Sequence, residues 1–271
     1  MDTLTLPVVA GLFFAGGLAG FVDSIAGGGG LISLPTLLTL GLSPAQALAT
    51  NKLQSSFGSL SATLNYSARG LVDLRRMRVA VACTFAGAAA GATLVQVLEP
   101  RFLSQVLPFL LILIALYFLL TPRAGEFDAR QRISVPLFAI TAGFGVGFYD
   151  GFFGPGTGSF FAVCFVTLLG FNLVRATAHT KLLNFTSNFA SLLLFAVGGK
   201  VVLLAGLPMA GGQFLGARLG SSLVMSRGAR LVRPLLVAVS LAITVRLVMG
   251  DEGHVLRQVW HTIMAGSGVS P

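Results

Sequence analysis

The sequence predicts an all-α polytopic membrane protein made of two inverted-topology repeats with broken or re-entrant helices, about 8 spans in 10 helical segments. Three observations carry this prediction: an apolar composition, an internal repeat, and a regular alternation of basic residues between loops. Of 271 residues, 55% are apolar and 10% charged, with a mean hydropathy of +0.87. A soluble domain carries about 25% charged residues. Positions 102–121 hold no ionisable group over 20 residues, and 182–199 none over 18. Roughly 20 apolar residues span the hydrocarbon of a bilayer as a helix.

The segments read from the N-terminus are 7–22, 31–42, 45–66, 77–98, 102–121, 133–149, 158–170, 182–198, 201–224 and 234–249. The first begins after Asp2 with no positive n-region, so it is expected to stay in the mature protein rather than be cleaved as a signal peptide. Segments 31–42 and 158–170 are short, and each follows a glycine-rich interruption. Segments 45–66 and 182–198 lie along or just after polar stretches, and 77–98 and 201–224 carry the pairs Gly87/Gly91 and Gly216/Gly220, a spacing that lets helices pack closely. Cys83 and Cys164 sit in apolar runs, where a thiol acts as a small hydrophobe and reports no redox compartment. A pI near 10.8 might have suggested nucleic acid, but the arginines gather in short loops, and no nucleic-acid partner is expected.

The repeat is direct in sequence. GFVDSIAGGGG (20–30) matches GFYDGFFGPGT (147–157) at an offset of 127, pairing Asp23 with Asp150. At an offset of 129, ATNKL (49–53) meets AHTKL (178–182), Gly70 meets Gly199, and GAAAG meets GARLG. The expected units are 1–121 (first repeat), 122–132 (cytoplasmic linker), 133–250 (second repeat) and a tail, 251–271. Lys plus Arg number four in 69–78, one in 99–101, three in 122–132, one in 199–200, four in 218–233 and one in 250–271. By the positive-inside rule the rich loops are cytoplasmic. Equivalent loops thus fall on opposite sides, and an inverted repeat is the build of many secondary transporters.

In such transporters, substrate sites form near the midplane from helices interrupted in equivalent places, with helix N-termini directed at the site. DSIAGGGG and DGFFGPGTG are equivalent interruptions, which marks Gly28, Gly29, Gly156 and Thr157 as substrate-binding candidates and Asp23 and Asp150 as proton-coupling candidates. The alternative is a pair of glycine-rich surface turns with the aspartates as exposed caps. After each interruption runs a polar stripe at helical spacing: Lys52, Ser55, Ser56 and Ser59 in the first copy, Lys181, Asn184, Ser187 and Asn188 in the second, with Asn51 and Thr180 as equivalent neighbours of the lysines and His179 one position from the stripe. Asn51, His179 and Thr180 join Lys52, Ser55, Ser59, Lys181, Asn184 and Asn188 as substrate-binding candidates. A lysine inside a span is costly unless paired or wet, and so is a functional candidate. The plainer reading is an ion pair with Asp23 or Asp150 that only holds the fold. Two lysines among hydrogen-bond donors favour an anion.

The runs AGFVDSIAGGGGLISLPTLL and ATNKLQSSFGSLSATLNY, with GFFGPGTG and ATAHTKLLNFTSN in the second copy, resemble the sulfite exporter TauE/SafE family of membrane permeases, in its YfcA-like branch. The likeness runs from about residue 7 to 250. It implies a multi-pass permease of the bacterial inner membrane, associated with export of sulfite, sulfonates or other small organic anions.

The leading function is therefore a secondary transporter (permease or exporter) for a small anion. It is not expected to be an enzyme, and no cofactor or metal is implied. No G-x-x-x-x-G-K-[ST] motif is present for an ATPase. Two other readings stay open: an intramembrane aspartyl protease using Asp23 and Asp150, whose expected G-x-G-D sequence is absent, and a passive anion channel. The expected partners are the substrate anion and the lipid bilayer. Whether copies associate into a homo-oligomer is open.

Overall fold

A computed structural model describes residues 5–96, 125–250 and scattered positions between 112 and 120. The expected span at 102–121 and the tail at 251–271 therefore lie outside, or almost wholly outside, the described residues. Nine helices form the described fold: α1 Leu6–Ala26, α2 Gly30–Thr39, α3 Pro44–Ser67, α4 Leu74–Leu94, α5 Val135–Phe152, α6 Thr157–Leu168, α7 Leu173–Val197, α8 Leu203–Arg227 and α9 Ala229–Gly250. Of these, α1, α4 and α5 are long and apolar enough to cross a membrane by composition.

Local chemistry sets the helix starts. Ser43 and Gln46 form a reciprocal capping box on α3, Asp73 caps α4, and Asn172 caps α7. The Asn172 cap places the start of α7 nine residues ahead of the apolar run expected at 182–198. The hydrophobic run understates the helix because its polar N-terminal half is buried against other helices rather than exposed to lipid. In α5 a π-helical stretch at Ala139–Gly143 interrupts the α-helical ladder, the kind of bulge that re-aims a helix near functional sites.

Packing follows small residues. Gly16 and Gly20 of α1 lie against the backbones of Met209 and Gln213 of α8. In the same way Gly87 and Gly91 of α4 meet the carbonyls of Phe144 and Phe148 of α5. The short helices fold back on their predecessors. Leu37 of α2 shares a cluster with Leu12 of α1 and with Ala205 and Met209 of α8, while the Phe165 ring of α6 lies 4.7 Å from that of Phe138 at the start of α5.

The ends of the helices are fixed by contacts. Arg76 donates to Gln131 at 2.7 Å, the Ile133 N–H reaches the Leu168 carbonyl, and Arg175 pairs with Asp128 at 2.9 Å. Glu126 also lines one cavity with Arg227, Arg230 and Arg233. The arginine-rich segments 69–78 and 218–233 and the described part of the linker, 125–132, thus gather at one end. At the other, the Val202 N–H donates to Thr50 and Gly198 lies beside Gln96. The helices α3 and α7 consequently run in opposite directions. Outward faces carry exposed Phe14, Leu18, Ile140, Leu215 and Leu219, whereas Lys52, Lys181, Asn184 and Ser187 are buried. Apolar outside and polar inside is the arrangement a lipid solvent permits.

Candidate functional site

The two interruptions cross each other. Gly27 closes α1 in the left-handed conformation, φ 77°, its N–H on the Asp23 carbonyl at 2.8 Å. A Cβ on Gly27 would run into the Cα of Gly158, and one on Gly158 into the Cα of Gly27. Only glycine at both places lets the break in one half touch the break in the other. The second interruption, Phe153 to Gly156, turns through Gly154 at φ 97° and Gly156 at φ 84°, and the Tyr149 hydroxyl fastens it by donating to the Pro155 carbonyl.

This crossing brings both aspartates to one small chamber of about 30 Å³, lined by Asp23, Asp150, Asn51, Lys52, Ser55, Thr157, Asn184 and Asn188 together with Gly27, Gly30, Leu34, Gly154, Pro155 and Gly158. Gly30 of α2 and Thr157 and Gly158 of α6 thus line the chamber at their helix N-termini, where the helix dipole favours negative charge.

The lysines pair crosswise between halves. Lys52 of α3 reaches Asp150 of α5, its Nζ 2.9 Å from Oδ1 and 2.5 Å from the main-chain carbonyl. Lys181 of α7 reaches Asp23 of α1 at 3.1 Å. Asp150 is further held by the Thr157 hydroxyl at 3.0 Å and by the Ser187 hydroxyl. Both lysine side chains are 1% exposed, Asp150 is 4% exposed, and Asp23 is 15% exposed. Each carboxylate faces a lysine, whereas a protease dyad needs the two carboxyls to share a proton.

Other polar groups complete the site. Ser33 and Gln54 both donate to the Asn51 side-chain oxygen, at 2.6 and 3.0 Å. The Asn188 amide donates to the Asn184 carbonyl at 2.7 Å. The side-chain oxygen assigned to Asn184 is buried with no hydrogen-bond partner among the described residues. Amide oxygen and nitrogen are interchangeable by rotation, so Asn184 offers the chamber one open hydrogen-bonding position of either sense.

Eight of the fifteen candidates named from the sequence line this chamber: Asp23, Asn51, Lys52, Ser55, Asp150, Thr157, Asn184 and Asn188. Lys181 stands behind it through Asp23. The Gly29 N–H lies 3.4 Å from Asp23 Oδ1, and Gly156 caps α6. Ser59 is one turn away, bonded to the Ser55 carbonyl at 2.6 Å. Thr180 is buried, with no partner for its hydroxyl among the described residues, and Gly28 faces Val239.

His179 belongs to the arginine-rich end. Its Nε2 accepts the Asp73 N–H at 3.2 Å, so its Nδ1, 2.8 Å from the Arg175 carbonyl, carries the proton. Its ring lies 4.9 Å from that of Phe171, over which Arg175 sits at 4.7 Å. Beside it, burial pushes the Asp128 carboxyl up, but the Asn172 N–H and the Arg175 guanidinium outweigh this and hold it below the ordinary aspartate value.

Sequence reasoning missed Ser33 and the partner of each lysine. Ser33 was readable only as a small residue in an apolar helix. The spacing Asp23 to Lys52 so nearly equals Asp150 to Lys181 that it carries no signal for pairing within or across halves.

A family model described as "Sulfite exporter TauE/SafE" matches residues 12–247. The "Probable membrane transporter protein YfcA" of Escherichia coli (strain K12) is 54% identical over 92% of this chain and 93% of its own. The "Probable membrane transporter protein ORF9" of Sinorhizobium sp is 49% identical over 96% and 99%. A "Probable membrane transporter protein" of Haemophilus influenzae is 47% identical over 92% and 97%. No solved structure matches the chain. The chain belongs to the TauE/SafE family and is a membrane transporter protein by that kinship.

Proposed function

We propose that this TauE/SafE member is a secondary transporter that carries a small anion, such as sulfite, a sulfonate or another organic anion, across the bacterial inner membrane. It works by alternating access between two inverted repeats, 1–121 and 133–250, joined by the cytoplasmic linker 122–132. One observation carries the reading: two lysine–aspartate pairs cross between the halves at a closed polar chamber where the two helix breaks meet. The opposed directions of α3 and α7, and the gathering of arginine-rich loops at one end, support the inversion and the cytoplasmic assignment of that end. About eight spans, counting each folded-back helix with its predecessor, fit the same scheme.

The charges suggest how coupling works. Two lysines and two aspartates sum to zero, so a monoanion entering alone leaves one buried negative charge. An uncompensated buried charge costs several kcal/mol, about 3–5 when it results from a broken pair. A proton taken up by one aspartate removes that charge and frees its lysine to bind the anion. One proton therefore travels with each monoanion. The pairs also span the interface between halves, so their making and breaking accompanies the motion that exposes the chamber to each side in turn.

Purified protein in liposomes tests this with a panel of sulfur oxyanions and carboxylates, with and without a pH gradient. Anion accumulation driven by the gradient, with matching proton movement, is the expected result. Flux that never exceeds equilibration, whatever the gradient, would show a channel instead.

A further inference from the structure

The polar chamber adjoins a larger and chemically different space across shared wall residues. Gly30, Leu34 and Pro155 line both the chamber and an adjoining cavity of about 250 Å³. Its remaining wall, among the described residues, is apolar apart from one cation: Leu48 of α3, Phe153 of the second interruption and Ile243 of α9 face it, with Arg246 at its rim. The wall also includes Pro44, at the start of α3, and Val95, at the end of α4, so the cavity lies toward the end remote from the arginine-rich loops. Arg246 donates to the Leu31 carbonyl at 2.8 Å, which ties α9 to the first turn of α2.

The two volumes set the shape of what fits both. The chamber, at about 30 Å³, exceeds the roughly 10–15 Å³ that admits a single water and is far smaller than the space beside it. That is room for a charged head group and nothing more. The apolar cavity is larger than the roughly 150 Å³ engineered cavity that takes benzene. An inorganic oxyanion would use the chamber and leave the larger space without a matching group.

We propose that the transported anion is amphipathic: a small anionic head seated in the polar chamber, with a compact hydrocarbon body of up to about the size of a phenyl ring in the apolar cavity beside it. This rests on the anion-transport reading above and narrows it. Arg246, a cation at an apolar mouth, attracts the head during entry, and Leu34 and Pro155 form the edge across which head and body divide.

The test uses the full-length protein in liposomes and sulfonates of one charge and growing apolar body: methane-, ethane-, propane- and butanesulfonate, then benzenesulfonate, with sulfite as the inorganic comparison. Sulfonates stay ionised, so they do not leak across the bilayer as neutral acids. Apparent affinity is expected to rise about fourfold per added methylene while the body fits. Sulfite should bind more weakly than butanesulfonate. Filling the cavity by Leu48→Trp should bring the ratio of benzenesulfonate to methanesulfonate affinity down toward one.

A series with no gain from methane- to butanesulfonate, as would also follow if a lipid chain occupied the cavity, overturns the inference while leaving anion transport intact. An unchanged ratio in Leu48→Trp overturns it too. Transport of none of these anions, by protein whose folding is verified by a cooperative melt, overturns the transport reading as well.

Discussion

The partner of each lysine can be established by rescue. Lys52→Met removes the ammonium and keeps most of the apolar stem. Among the described residues it leaves Asp150, 4% exposed, with the Thr157 and Ser187 hydroxyls on its carboxylate. Breaking a buried pair from one side costs about 3–5 kcal/mol, and that is the loss expected for Lys52→Met. Lys181→Met should cost less, about 1–3 kcal/mol, because Asp23 is 15% exposed and water can take over part of its solvation. The assay is a denaturant titration of the protein in lipid nanodiscs, followed by flux in liposomes. The double variant Lys52→Met/Asp150→Asn should regain at least half of the lost stability, because it no longer buries a lone charge. The mismatched double Lys52→Met/Asp23→Asn should regain none and lose more, since it also strips Lys181 of its partner. Rescue by Asp23→Asn instead of Asp150→Asn would refute the crossed pairing. Restored proton-driven transport in the matched double would refute the role of the pair in carrying anion and proton, leaving it a structural bridge.

Two further outcomes follow from the fold. Gly158→Ala places a methyl against the Gly27 Cα where backbone meets backbone, and the variant should lose at least about 1–3 kcal/mol of stability, measured by the same titration; a variant as stable as the parent would show that the breaks do not touch. In a background lacking Cys83 and Cys164, a cysteine replacing exposed Lys200 should react with a membrane-impermeant maleimide added outside cells, and one replacing exposed Ala68 should not; outside labelling of position 68 would overturn the inverted arrangement.

Much of this was legible in the sequence, for physical reasons. The repeat showed because two copies sharing one geometry need glycine and aspartate at equivalent places, as at Asp23 and Asp150. The polar stripes showed because Lys52 and Lys181 are conspicuous in apolar surroundings. Segment boundaries were less visible: hydropathy reports contact with lipid, and the first turns of α7 are buried against protein, so His179 and Lys181 fall in a helix that its apolar run places later. Depth along the membrane was also hidden. His179 and Lys181 are two residues apart, yet one binds the backbone at Asp73 in the arginine-rich end and the other the aspartate beside the chamber. A helical stripe tells which face a residue shares and not which layer it reaches.

Under the proposed alternating-access mechanism, in which one half moves past the other, the crossing of the pairs bears on how coupling would arise. Had Lys52 paired with Asp23 and Lys181 with Asp150, each half would be electrically closed, and moving one half past the other would disturb neither pair. With Lys52 on Asp150 and Lys181 on Asp23, both pairs lie across the moving interface. Sliding then separates charges in a poorly solvated interior, which is costly for as long as the aspartates stay ionised without another partner. Occupancy relieves that cost only when proton and anion arrive together, because a proton alone leaves a free buried lysine and an anion alone leaves excess negative charge. In that scheme the loaded and the fully empty states are both neutral, whereas each half-loaded state buries an unpaired charge. Disfavouring the half-loaded states is what obligatory coupling requires, and the crossed pairs place the charges that would do it between the two halves.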